Sequence, residues 1–140
     1  MEFKTIDDVN VGDKDSFTKT ISEADVYMFA GITGDLNPAH TNAEYMKATP
    51  FKQRVAHGDL TMGLISTVIG MKLPGPGAIL VGSNVKFTAP VYFGDTVTAE
   101  VEVMEKDKEK NRLRLKTVCT NQNGRPVIVG EFNVSPYVKK

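Results

Sequence analysis

The segment from His57 to Lys72 limits the possible folds more than any other part of this chain, because it predicts a helix that is apolar on nearly every side. Its apolar residues are Leu60, Met62, Leu64, Ile65, Val68, Ile69 and Met71. Such a helix would leave much of its apolar surface in water unless other elements wrapped it. The turn-forming residues from Pro74 to Gly77 predict where it stops.

Five segments have the composition of β-strands, one before this helix and four after it. They are Asp15 to Ile21, Ala78 to Ala89, Thr96 to Met104, Arg112 to Asn121 and Arg125 to Ser135. Asn123-Gly124 lies between the last two and is a strong hairpin signal. The sequence therefore predicts a mostly antiparallel sheet of five strands.

The third and fourth predicted strands alternate between apolar and charged residues. The apolar side contains Val97, Ala99, Val101, Val103, Leu113, Leu115, Thr117 and Cys119, while glutamate, arginine and lysine occupy much of the other side. This period of two indicates a sheet with one buried face, and opposite charges can pair across strands on the solvated face. A sheet that curls around a buried helix is an α+β arrangement, the one called the hot dog fold.

Length and charge exclude several classes of protein. A chain of 140 residues is the size of one domain, so we expect residues 1–140 to form a single unit. Lysine plus arginine number 17 and aspartate plus glutamate number 17, so no overall field attracts nucleic acid or an anionic membrane. With one cysteine, no apolar run near ~18 residues and no signal-peptide pattern, a soluble cytoplasmic protein is expected.

The first half of the chain contains short predicted helices around one unusual loop. Ser22 and Asp25 form a capping pair for a helix through about Gly31, and Asn42 can cap a second helix over residues 43–47. Between them, the segment FAGITGDLNPAH puts Asp35 and His40 on either side of an Asn-Pro turn.

A carboxylate and an imidazole five residues apart across a turn can reach the same small volume. Together they could bind one water, take a proton from it and deliver a proton nearby at neutral pH. The alternative is structural: Asp35 can serve an Asx turn, and His40 can be a hydrogen-bonded histidine with no chemical role.

The segment from Phe29 to Ser66 resembles the R-specific enoyl-CoA hydratases of the MaoC-like dehydratase family. The matching residues are Asp35, Asn37, Pro38, His40, Phe51, His57 and Gly58, in two separate motifs in the family's order. The resemblance extends more loosely over nearly the whole chain, including the stretch from Pro74 to Val103. It implies the hot dog fold.

The resemblance implies that Asp35 and His40 are the catalytic pair and that the backbone N–H of Gly58 binds the thioester carbonyl. A helix N-terminus has unpaired N–H groups and partial positive charge, and glycine allows a ligand close to the backbone. The implied reaction is addition of water to a trans-2-enoyl-CoA, giving an R-3-hydroxyacyl-CoA that could supply polyester synthesis, or the reverse dehydration. It requires no metal and no redox cofactor.

Other residues are expected to support the substrate. The resemblance places Ser66 in the pocket, although a helix serine bonded to the preceding turn is the structural alternative. Asn37 is expected to organise the catalytic loop. Ile65 and Ile69 are candidates for contact with the acyl chain, with a role in the core as the alternative.

Asp59 departs from the family pattern, in which an apolar residue such as methionine usually follows the glycine. A carboxylate in the first helical turn is favourable to the helix dipole, but inside a pocket it would change the substrate range. Asp59 is also the candidate base of an alternative function, a hot dog acyl-CoA thioesterase. A metal hydrolase using Asp35, His40, His57 and Asp59 fits known ligand spacings poorly.

A non-catalytic acyl-CoA binding module is the remaining alternative, although it would not need an acid/base pair. The all-round apolar helix exceeds what one five-stranded sheet can cover, and sheet edges pair readily, so a homodimer or larger homo-oligomer is expected. Lys52, Arg54 and Lys86 are candidates for binding the CoA phosphates.

Overall fold

The computed structural model describes all residues, 1–140, and contains one sheet and four helices. The strands are β1 (Lys14–Thr20), β2 (Ile79–Phe87), β3 (Thr96–Asp107), β4 (Arg112–Thr120) and β5 (Pro126–Ser135). The helices are α1 (Glu23–Thr33), α2 (Pro38–Thr41), α3 (Ala43–Lys47) and α4 (Gly58–Met71), and a single 3-10 turn spans Ile6–Asp8. No helix has the length and apolar character needed to cross a bilayer.

The five strands form one antiparallel sheet in the order β1-β3-β4-β5-β2. The predicted strands and the hairpin between β4 and β5 are confirmed, with β3 extending three residues beyond its predicted end. On the solvated face Glu102 lies opposite Lys116 and Glu105 opposite Arg114, as the charge pattern predicted. The alternation of β3 and β4 therefore sets which face of the sheet is buried.

Helix α4 lies against the buried face of the sheet and forms the centre of the core. Leu64, Ile65, Val68 and Ile69 are all buried, and they join the apolar face of β3 and β4 in one cluster of 22 residues. Burying a side chain of this size contributes about 1.5–3 kcal/mol to stability. This central helix within a curved sheet is the hot dog arrangement that the sequence predicted.

One side of α4 remains in contact with solvent. Asp59, Gly63 and Ser66, spaced four and three residues apart, are exposed, and we call them the open stripe of α4. The expectation that the chain would wrap this helix on every side is thus only partly met within one chain. A single curved sheet covers one broad side of a helix.

Strand β2 forms an edge of the sheet and is unusually apolar for an exposed strand. Ile79, Leu80, Val81 and Phe87 are between 46% and 64% exposed. The strand pairs only with β5, where Gly130 lies so close that a Cβ atom would clash with the carbonyl of Asn84 and lie 2.6 Å from the Cα of Val85. The molecule therefore presents an apolar strand edge to solvent.

Candidate active site

The loop between α1 and α2 is shaped by hydrogen bonds within it. Gly34 ends α1 in the left-handed conformation, with φ of 82°, which glycine adopts without strain. The Asp35 carboxylate then accepts a hydrogen bond from the N–H of Asn37 at 3.2 Å. The Asn37 side chain caps α2 by accepting from the N–H of Ala39 at 3.0 Å, and Pro38 occupies the first helical position. Asn37 thus organises this loop, as predicted.

His40 lies on α2 with its imidazole almost entirely buried. Its Nδ1 is 2.6 Å from the backbone carbonyl oxygen of Val55. A carbonyl oxygen can only accept, so Nδ1 carries the proton that is donated to it. In the neutral ring this leaves Nε2 unprotonated, with a lone pair free to accept a proton.

His57, immediately before α4, forms a second support for the loop. Its Nε2 is 3.0 Å from the backbone oxygen of Asp35 and 4.0 Å from the Asp35 carboxylate. The His57 ring stacks on the His40 ring, with centroids 3.7 Å apart. The centroid of the Phe29 ring lies 4.7 Å from that of His57. From the sequence, His57 was expected only as part of a motif and among possible metal ligands, whereas in the structure it contacts both Asp35 and His40.

Gly58 is the first residue of α4, so its N–H is one of the backbone donors that have no acceptor within the helix. A Cβ atom at this position would lie 2.6 Å from the ring of Phe87. Glycine avoids this overlap, and a larger residue here would force the half-exposed ring of Phe87 to move. The strand composition gave no signal that Phe87 would face this helix end.

These residues meet at a cavity of about 640 Å³. Asp35, His40, His57 and Gly58 form part of its wall, so the chain brings together all three residues predicted to be catalytic. Phe51, Phe87, Val91, Val127 and Ile128 contribute apolar side chains to the same wall. The cavity can hold an apolar group beside a carboxylate, an imidazole and a helix N-terminus.

None of the four predicted substrate residues lines this cavity within one chain. Asn37 lies outside its wall and caps α2 instead. Ile65 and Ile69 are buried in the core, at 0% and 1% exposure, which is the structural alternative considered for them. Ser66 lies on the open stripe of α4, and its hydroxyl makes no hydrogen bond to the preceding turn.

Of the three basic candidates for phosphate binding, Arg54 is already engaged. Its guanidinium pairs with Glu23 at 2.7 Å, donates to the hydroxyl of Tyr27 and lies over the ring of Phe93. The hydrogen bonds that it donates to Glu23 and Tyr27 raise its pKa. Arg54 could therefore bind a phosphate only by giving up its ion pair with Glu23.

The other two basic candidates differ in their position. Lys86 borders a shallow depression with Asn84, Arg114, Lys116 and Glu131, apart from the cavity that contains Asp35. Lys52 is exposed and directly follows Phe51, which is part of the cavity wall.

Asp35, His40 and His57 each have a possible metal-ligand atom within 4.8 Å of the others. The two imidazoles are stacked with only 28° between their planes, and each directs one nitrogen to a backbone oxygen. Ring lone pairs lie in the ring plane, so stacked rings do not aim two of them at one point, as tetrahedral zinc requires. These three side chains are therefore better suited to acid/base chemistry than to binding a metal ion.

Known proteins with similar sequences and folds include enzymes that act on acyl thioesters. The chain is 51% identical over 128 residues to an (R)-specific enoyl-CoA hydratase from Rhodospirillum rubrum, covering 91% of this chain and 88% of that protein. It is 46% identical to a 3-hydroxybutyryl-CoA dehydratase from Methylorubrum extorquens, covering 81% and 73%. The structure matches the unliganded R-hydratase PhaJ1 from Pseudomonas aeruginosa with a TM-score of 0.90 and 42% identity, covering 96% and 86%.

The family model described as the MaoC like domain matches residues 9–123, which include the loop with Asp35, α2 with His40, α4 and most of the sheet. This range is well over half of the chain, and the fold and both sequence motifs agree with it. The chain belongs to the MaoC-like domain family.

Proposed function

We propose that this protein is an R-specific enoyl-CoA hydratase, which adds water to a trans-2-enoyl-CoA and, in reverse, dehydrates an R-3-hydroxyacyl-CoA. One observation carries the proposal: Asp35 and His40 border the same cavity as the N-terminus of α4 at Gly58. The hydratase and dehydratase names of the relatives favour the same reaction.

In the proposed mechanism, the substrate carbonyl accepts a hydrogen bond from the N–H of Gly58. This hydrogen bond and the helix dipole draw electron density toward the carbonyl oxygen, so that C3 of the conjugated double bond becomes electrophilic. The negative charge that develops when water adds to C3 is stabilised as an enolate at the same oxygen. Gly58 contributes most in the transition state, where that charge is greatest.

Asp35 and His40 are proposed to hold the water and transfer its protons. One O–H bond of the water breaks as its oxygen bonds to C3, and a proton is added at C2 as the enolate collapses, so one water is consumed in total. The Nδ1–H bond to Val55 keeps Nε2 of neutral His40 available for a proton. The two groups act as a coupled pair, and we assign the transfers to them jointly.

No redox cofactor is needed for this reaction, because hydration of a double bond leaves the total oxidation state of the substrate unchanged. We also propose that no metal takes part, since Gly58 supplies the polarisation that a Lewis acid would provide. CoA enters only as part of the substrate. Three basic residues were predicted to contact the phosphates of CoA. Of these, we propose Lys52, which lies next to the cavity wall.

The functional unit is proposed to be a homodimer. The apolar edge strand β2 and the open stripe of α4 are both exposed in a single chain. A second copy that paired with β2 would satisfy its free backbone groups and cover the apolar edge together with the part of the open stripe at Gly63 and Ser66. Ser66 on the open stripe would then lie at or near the contact between copies.

A cytoplasmic location is proposed as well, supported by Cys119, which is a free and buried thiol. The R-3-hydroxyacyl product is a chiral hydroxy acid thioester, the type of monomer that polyester synthesis consumes. We propose such a use for the product, with the dehydration direction as the other possible use of the enzyme.

The test is the loss of enoyl-thioester absorbance with crotonyl-CoA, followed by chiral analysis of the product. We expect the wild type to give the R product, and Asp35→Asn and His40→Gln to lose at least about a hundredfold in kcat while remaining folded by circular dichroism. Glu44→Gln neutralises an exposed carboxylate on α3 and serves as the matched control.

Two results would contradict the proposal. Release of free CoA thiol without hydration would identify a thioesterase, and Asp59 would become the residue to test. Binding of crotonyl-CoA with neither reaction would favour a binding module.

A further inference from the structure

Asp59 is a charged residue of the cavity wall to which the hydratase mechanism gives no task. It is the second residue of α4, belongs to the open stripe and borders the same cavity as Asp35 and His40. Its carboxylate makes neither a hydrogen bond nor an ion pair with any other residue of the chain. Several other exposed carboxylates, such as Glu23, Glu44 and Glu105, are paired with a basic side chain.

The charges around the cavity are unbalanced. Its wall contains two aspartates, Asp35 and Asp59, and neither a lysine nor an arginine. The remaining wall is largely apolar, and an apolar wall weakens the screening of charge by water. A negative group that entered the cavity would therefore meet two carboxylates, and the only wall side chains able to carry positive charge are the imidazoles of His40 and His57.

We infer that Asp59 makes this site select uncharged enoyl chains and reject those that end in a carboxylate. The inference rests on the proposed hydratase function, because it concerns the acyl group that occupies the cavity. The terminal carboxylate of a dicarboxylic chain would add a third negative charge beside those of Asp35 and Asp59. This carboxylate would also lose its hydration without gaining a partner. A neutral chain loses no such hydration and can pack against Phe51 and Phe87.

The experiment compares two five-carbon substrates, trans-2-pentenoyl-CoA and trans-glutaconyl-CoA, which differ in charge at the end of the chain. Both contain the same CoA, so effects on CoA binding cancel in the ratio of their kcat/KM values. The variants are Asp59→Asn, which removes the charge at nearly constant shape, and Glu44→Gln, which removes a carboxylate outside the cavity. Asp59→Ala replaces Asp59→Asn if the latter does not fold.

We expect wild type and Glu44→Gln to prefer pentenoyl-CoA strongly, and Asp59→Asn to raise the relative kcat/KM for glutaconyl-CoA by about tenfold or more. The wild-type preference should also weaken at high salt, which screens charge. An unchanged ratio in Asp59→Asn overturns the inference and leaves the hydratase function intact. A wild type that hydrates neither thioester overturns the proposed function, and the inference with it.

Discussion

The imidazole rings of His40 and His57 are stacked with their centroids 3.7 Å apart, and His57 also donates from Nε2 to the backbone oxygen of Asp35. One buried side chain therefore contacts both residues of the proposed acid/base pair. Asp35 is on a loop, so this hydrogen bond to its backbone oxygen helps to fix where its carboxylate lies. We expect His57 to position the pair, and its two contacts can be separated by mutation.

His57→Phe keeps a ring for stacking but removes the donor to Asp35, while His57→Gln keeps a donor and removes the ring. We expect His57→Phe to lower kcat for crotonyl-CoA by about tenfold to a hundredfold with a smaller change in KM, because a small misplacement of a catalytic group is costly. His57→Gln should lose less. A purely structural role would instead lower the melting temperature of both variants and leave kcat of the folded fraction unchanged.

Gly58→Ala should reduce activity because the added Cβ would lie 2.6 Å from Cε1 of Phe87. The ring of Phe87 must move to relieve this overlap, and it would move within the cavity wall. We expect kcat/KM for crotonyl-CoA to fall about tenfold or more, and Phe87→Ala to restore part of the loss when added to Gly58→Ala. Equal losses in the single and the double variant would mean that the methyl group interferes with the substrate directly.

Thr117→Val is expected to stabilise the protein. Thr117 is completely buried on β4, and its hydroxyl has no hydrogen-bond partner. Valine has nearly the same shape and no polar atom to bury, so the free energy of unfolding should rise by about 1 kcal/mol. Urea unfolding gives this value directly. Thr20→Val is the control, since it removes an exposed hydroxyl that is bonded to Thr96, and we expect no gain from it.

Cys119 should make stability depend on pH in the alkaline range. Burial raises the pKa of its thiol to about 12, whereas the thiol of the unfolded chain has a pKa near ~8.5. Between these two values the unfolded chain loses the proton and the native state keeps it, so stability falls as pH rises. This contribution is fully present below about pH 8 and decreases by up to about 1.4 kcal/mol per pH unit above ~8.5.

The measurement is urea unfolding of wild type and Cys119→Ala between about pH 7 and pH 10. We expect the difference in unfolding free energy between the two proteins to be constant at the lower end and to shift in favour of Cys119→Ala above ~8.5. A constant difference over the whole range would show that the thiol ionises alike in both states. The folded wild type should also resist thiol reagents.

The proposed dimer predicts that a charge on the edge strand will separate the copies. Val81 is 50% exposed on β2, and Val81→Lys would put an ammonium group against the second copy. We expect light scattering to report a dimer for wild type and a monomer for Val81→Lys. Val138→Lys, at an exposed valine near the C-terminus, should remain dimeric. A monomeric wild type would contradict the proposal.

The sequence predicted the elements of this fold well because their patterns are local. The alternation along β3 and β4 and the apolar residues of α4 are each set by which side chains must leave water. The alternation is found as predicted, whereas α4 buries Leu64, Ile65, Val68 and Ile69 and leaves Met71 exposed. The meeting of Asp35 and His40 at one cavity was predictable for the same reason, since they are close in sequence and on either side of one turn.

The features that the sequence did not reveal depend on contacts between distant segments. Phe87 reaches Gly58 only because β2 joins the sheet beside β5, a pairing that strand composition does not specify. Arg54 looked like an exposed cation, but α1 brings Glu23 to it from 31 positions away. Residue type alone cannot distinguish a free charge from a paired one.

Gly130 has no side chain and lies outside the cavity, yet it determines where one wall of the cavity stands. Any larger residue there would push β2 away from β5, beginning at Val85. Two positions further along β2 is Phe87, so the displacement would be transmitted to the ring above Gly58. Among natural or engineered variants, substitutions at position 130 should therefore have the same effects as substitutions in the proposed catalytic centre, although Gly130 is not part of the cavity wall.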